Sequence, residues 1–170
     1  MFKKIYVSNI IQYTLYTVMI LLTFLFFFQK LKFDIWRTVL FGILLTILFI
    51  TDKKTFTLPI KYNFGLLISV FLLLINSKQA LIGILFGFIV SFITYLLKRN
   101  SMGLGDVILI SSLGGILTIN YLFEDIIFAA IIGFIFTIYK TKGDFSVREK
   151  LPFGSFLIAG VPIVGMFCII

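Results

Sequence analysis

The sequence predicts an all-α membrane protein, a polytopic bundle of six to seven transmembrane helices with a cytoplasmic N-terminus. Three observations predict it. The 170-residue chain is 61% hydrophobic, with a mean hydropathy of +1.16. A soluble domain of this size has too little interior to hide that much apolar surface, so lipid must solvate most of it. The apolar residues fall in long runs, and the basic residues fall in the short segments between them. One domain is expected over residues 1–170: an N-terminal span and outer loop over 1–34, a motif-bearing core over 35–160, and the end of the last span over 161–170.

Seven apolar segments follow in order: Ile10–Phe28, Ile35–Ile50, Tyr62–Ile75, Ala80–Leu97, Val107–Leu122, Ile126–Tyr139 and Phe156–Ile170. The first opens like a signal peptide, but its run is too long for an h-region and no small-residue cleavage site follows, so a retained span is expected. The third, like the sixth, falls furthest short of the ~20 residues that cross a bilayer core. The third is expected to tilt little, to thin the membrane locally or to be partly re-entrant. "GILFG" over Gly83–Gly87 and the pair Ala129 and Gly133 are small-xxx-small patterns that let helices approach closely in lipid. Trp36, Tyr62, Tyr121 and Tyr139 stand near segment ends, as an aromatic belt requires.

Charge sets the direction. With the N-terminus inside, only Lys30, Lys32, Arg37 and Lys78 of the 15 basic residues fall outside. This bias is the positive-inside pattern. The net charge of +8 does not mark a nucleic-acid binder, because the basic residues form no arm or stripe. There is no His and one Cys, Cys168, which excludes a His- or Cys-built zinc site, a Ser-His-Asp triad and a disulfide framework. No metal and no cofactor is expected.

Seven acidic residues remain. Asp34, Glu124 and Asp125 are expected in outer loops, and Asp144 and Glu149 in the inner loop "KTKGDFSVREK". Asp52 closes the second segment and Asp106 opens the fifth. Singly, Asp106 reads as a helix N-cap or first-turn residue, and Asp52 as the first wet residue after a span. Together they return to one face of the membrane. Two carboxylates that can meet there, with no His and no reactive Cys pair, point to aspartic proteolysis, in which a shared proton and a water do the work. Gly103 and Gly105 are expected to turn the chain tightly into the fifth span, through φ > 0, and to leave room for an extended substrate.

Three stretches in this order resemble the type IV prepilin peptidases, membrane aspartic proteases of the GxGD type. They are "DKKTFTLP" from Asp52 to Pro59, "MGLGD" from Met102 to Asp106, and "LPFGSFLIAG" from Leu151 to Gly160. The resemblance covers roughly Ile35 to Gly160. It implies that Asp52 and Asp106 are the catalytic pair, with Gly103, Gly105 and Pro59 supporting the site. It implies a prepilin or pseudopilin substrate with a short basic leader, cut at the cytoplasmic face of a bacterial inner membrane. Pro152, Phe153 and Gly154 are expected to contact that substrate, and Asp144 and Glu149 to hold its basic leader. Two positions depart from the family pattern: Ile108 stands where many members carry lysine, and Ser155 where many carry proline. Full-length bifunctional members also carry a domain with paired Cys-x-x-Cys motifs. This chain resembles the short form without it.

Rival readings are a related GxGD protease of the preflagellin type and a small transporter or ion-coupled subunit. Intramembrane carboxylates point by default to ion or proton paths. The span-end positions of Asp52 and Asp106, beside Lys53, Lys54, Lys98 and Arg99, favour a surface-facing site instead. Helix dipoles give a further expectation. Asp106 stands at a helix start and Asp52 at a helix end, which biases a shared proton toward Asp52, against the pull of Lys53 and Lys54.

Overall fold

The computed structural model describes residues 35–74, 77–97, 102–141 and 151–167. The expected first span, Asp34, Lys98, Arg99, Asp144, Glu149 and Cys168 lie outside them. The described residues form five helices and no strand: α1 (Ile35–Thr55), α2 (Ile60–Leu74), α3 (Lys78–Leu97), α4 (Leu104–Thr141) and α5 (Phe153–Phe167). Two of them, over Lys78–Leu97 and Leu104–Tyr139, are long and apolar enough to cross a membrane, with hydropathies of 2.4 and 2.0. Large apolar side chains such as Leu72, Leu85, Leu97 and Phe134 cover the outer surface, as lipid-facing helices require.

α4 is the centre of the bundle. Its first half is buried at nearly every position from Val107 to Leu117, and it packs against α2, α3 and α5. The α3 contact uses small residues: Ala80, Gly83, Gly87 and Ser91 line the buried face of α3. A Cβ at Gly83 would overlap the carbonyl of Gly114, and one at Gly87 would lie 2.8 Å from the carbonyl oxygen of Ile110. The two backbones therefore touch, as the GILFG pattern predicts. The second small pair faces α5, because a Cβ at Gly133 would meet the Phe156 ring at 3.3 Å.

The fifth and sixth expected spans meet at a different place than the sequence implies. The expected boundary is a polar loop around Glu124 and Asp125. The break instead falls at Thr118, with φ 68° and ψ 174°. A straight helix separates residues eight apart by ~12 Å, yet a Cβ at Gly114 would lie 3.2 Å from Cδ2 of Leu122. The chain therefore bends sharply at Thr118, leaving a first limb (Leu104–Leu117) and a second limb (Ile119–Thr141). The apolar run hid the bend, because no Gly, Pro or charge stands at position 118 to announce it.

The same shift corrects the reading of Asp125. It is fully buried in the second limb, not solvated in a loop, while Glu124 beside it is exposed. Both Asp125 carboxylate oxygens lack a hydrogen-bond partner among the described residues. The carboxylate rests on Gly160 of α5, where a Cβ would overlap Oδ1.

Candidate active site

The inward stripe of α1 carries Asp52 to the site. Phe41, Leu45, Leu48 and Asp52 are all buried, and their spacing of four, three and four residues keeps them on one helix face. Asp52 thus ends a core stripe. α1 stops three residues later at Thr55, where Phe56 takes a left-handed φ of 51°. Its N–H donates back to the Asp52 carbonyl oxygen at 2.8 Å, a C-cap usually built on glycine. The turn sends the chain through Leu58 to Pro59, whose carbonyl oxygen accepts from Tyr62 and Asn63 at 3.2 and 3.3 Å and starts α2.

Asp106 reaches the site through the start of α4. Gly103 is the cap residue, and its carbonyl oxygen accepts from the N–H groups of Asp106 (3.1 Å) and Val107 (3.4 Å). The Gly103 N–H in turn donates to Asp106 Oδ2 at 3.0 Å. This is the back-reaching half of a capping box, with the acidic residue three positions after the cap. Asp106 is half-buried.

The glycines of "MGLGD" turn the chain into α4 without the expected left-handed backbone. Neither Gly103 nor Gly105 has a positive φ. Gly105 is instead a point of close approach: a Cβ there would lie 2.8 Å from both Cβ and the carbonyl oxygen of Leu58, and 3.2 Å from Asn63 Nδ2. A Cβ at Gly103 would lie 3.5 Å from Asp106 Oδ2 and 3.9 Å from the Gly105 nitrogen, ordinary contact distances.

Leu58 also meets the third motif. A Cβ at Gly154 would lie 2.6 Å from Leu58 Cδ1. One side chain from the loop after Asp52 is thus seated between the glycines of the other two motifs. Asn63 adds a polar tie, donating from Nδ2 to the Gly105 carbonyl oxygen at 3.0 Å. Neither Leu58 nor Asn63 stands out in the sequence. Asn63 was legible in principle, as the polar residue that heads the otherwise apolar stripe Leu66, Val70 and Leu74 of α2.

Pro152 and Gly154 are buried, and Phe153 packs against the core. They form the turn that opens α5 and delivers Ser155 to Asp52. The Ser155 N–H donates to Asp52 Oδ2 at 2.6 Å, and its Oγ–H does so at 2.9 Å. The Ser155 Oγ also lies 3.3 Å from the Phe49 carbonyl oxygen. The first helical bond of α5 runs from Phe156 N–H to Pro152, so the Ser155 N–H is one of the free donors of a helix start. Asp52 therefore stands at the end of its own helix and against the beginning of another. The two helix ends act on its charge in opposite directions, so the end of α1 alone does not decide which carboxyl holds the proton. Asp144 and Glu149 lie outside the described residues.

Two carboxylates from distant parts of the chain, each held at Oδ2 by a hydrogen bond, thus come to the same end of the bundle, where Leu58 touches both Gly105 and Gly154. The profile of the type IV leader peptidase family matches residues 39–138, a segment that holds both Asp52 and Asp106. No curated protein and no solved structure matches the chain significantly. With more than half of its residues inside that profile, the chain belongs to the type IV leader peptidase family, and is a protease for which the family implies a prepilin-type substrate.

Proposed function

We propose that this protein is an aspartic endopeptidase that removes the short basic leader of prepilins or pseudopilins at the cytoplasmic face of a bacterial inner membrane, with Asp52 and Asp106 as its catalytic pair. The observation that carries the reading is the convergence of the three motifs: α1 brings the Asp52 carboxylate, α5 brings its two donors, and Leu58 joins the Gly105 turn before Asp106 to Gly154 beside Ser155. One carboxylate takes a proton from the attacking water while the other, protonated, polarises the scissile carbonyl. The proton roles then reverse as the leaving amine departs. The chemistry uses no metal.

The chain forms one peptidase unit of six to seven spans with its N-terminus inside. The bend at Thr118 divides a 38-residue helix, ~57 Å long if straight, into limbs of ~21 and ~34 Å, of which the second matches a core of ~30 Å and the first falls short of it. Asp144 and Glu149 would sit on the inner face, where they could meet the leader's basic residues.

The test is direct. Purified protein in detergent is incubated with a prepilin carrying a basic leader that ends in glycine, and the product is sized by mass spectrometry. The expected result is a single cut after the leader. Intact substrate under conditions that keep the protein folded would contradict the reading.

A further inference from the structure

Ser155 makes a contact set that the two-carboxylate mechanism by itself does not require. Its N–H and its hydroxyl both reach the same oxygen, Asp52 Oδ2, and the hydroxyl has a second acceptor within 3.3 Å in the Phe49 carbonyl. Ser155 and Asp52 are both buried, so water does not stand in for these bonds. A hydroxyl carries one proton and two lone pairs. It can donate to an ionised Asp52. It can also rotate to donate to Phe49 and accept a proton from a protonated Asp52. A backbone N–H cannot do this, because it only donates.

We infer that Ser155 is a positioning residue that keeps Asp52 hydrogen-bonded in both of the protonation states it passes through during peptide cleavage. The inference rests on Asp52 acting in catalysis. With Asp52 ionised, Oδ2 accepts from N–H and Oγ–H together, and Oδ1 faces the reaction. With the proton on Oδ1, Oδ2 becomes the carbonyl oxygen of the acid and still accepts from both donors; with the proton on Oδ2, the hydroxyl turns to Phe49 and its oxygen accepts the carboxyl proton. The side chain stays fixed in place while the proton is gained and lost. A proline at this position, lacking both N–H and hydroxyl, offers neither arrangement. A proline there would break no hydrogen bond of α5, because the Ser155 N–H bonds no α5 carbonyl, but its ring would occupy the place of the N–H that meets Asp52 Oδ2.

Three variants of the full chain test this: Ser155→Thr, Ser155→Ala and Ser155→Pro, assayed against the prepilin. Threonine retains the hydroxyl and should keep kcat within about twofold. Alanine should lower kcat roughly tenfold or more, the loss expected of one bond to a charged group, with KM little changed. Proline should lower it further. A kcat for Ser155→Ala equal to wild type, a loss confined to KM, or a threonine variant as impaired as alanine would each overturn the inference. A second measurement reads the contact without activity. In protein labelled with ¹⁵N-serine, the Ser155 amide proton should resonate well downfield and move upfield in Asp52→Asn. An amide that ignores Asp52→Asn would show that the pairing does not exist. A wild-type protein that cleaves no prepilin would contradict the protease reading instead, and the amide response would still decide whether Ser155 holds Asp52.

Discussion

Leu58 touches two glycines in different ways, and substitution should separate them. At Gly105 the obstacle is the Leu58 Cβ and carbonyl oxygen, both 2.8 Å from the new Cβ. These atoms move only with the backbone. At Gly154 the obstacle is the far end of the Leu58 side chain, at 2.6 Å from Cδ1, which can turn aside or be removed. Gly105→Ala should therefore cost ~2–3 kcal/mol and Gly154→Ala ~1–2 kcal/mol, within the usual range for overpacking. Adding Leu58→Ala should cancel the cost of Gly154→Ala but not that of Gly105→Ala. Gly103→Ala should leave stability unchanged. Thermal unfolding midpoints in detergent, compared pairwise, check all four. At this scale the sequence displayed Asp52, Asp106 and the glycines, because unusual residues stand out against an apolar background. It concealed Leu58, one leucine among many, and it concealed the use made of Ser155, because a hydroxyl 103 residues away in the chain from its carboxylate leaves no local pattern.

Among the helices, the contact of α5 with the second limb of α4 gives the next tests. Asp125 is buried without a hydrogen-bond partner and occupies the space where Gly160 lacks a side chain. Gly160→Ala should destabilise the wild-type protein and cost almost nothing once Asp125→Ala is present, a coupling that a double-mutant cycle measures directly. Asp125→Ala alone should leave prepilin cleavage intact, since this carboxylate takes no part in the catalytic pair. The bend gives another test. Thr118 has φ 68° and ψ 174°, a region open in practice to glycine alone and costly for other residues by ~1–3 kcal/mol. Thr118→Gly should therefore keep or raise stability, and Thr118→Val should not relieve it. A Val variant more stable than Gly would show that the bend is not strained. Helix existence was legible from apolar runs, and the α3 to α4 contact from GILFG. The place of the bend was not, because hydropathy treats Leu113 to Leu122 as one run, and Glu124 with Asp125 offered a more obvious but wrong boundary.

Across the whole molecule, the account joins three sequence-distant stretches at one end of a bundle: the end of α1, the start of α4 and the start of α5. Charge bias predicted that these ends share a side, and thiol labelling can check it. After Cys168→Ser, single cysteines at Lys54 and Gly103 should react with a membrane-impermeant reagent only from the cytoplasmic side, and cysteines at Lys78 and Asn120 only from outside. Opposite reactivity at positions 54 and 103 would separate the two carboxylates and break the site. The measurement that bears most directly on the central claim is cleavage by Asp52→Asn, Asp106→Asn and the double variant, each purified and shown to fold. Residues that act as one unit are strongly non-additive. Each single substitution should lower kcat by roughly 10³-fold or more, and the double variant should be no worse than the more impaired single one. More than about a tenth of wild-type activity in either folded single variant, or losses that simply multiply in the double, would contradict a catalytic pair at Asp52 and Asp106.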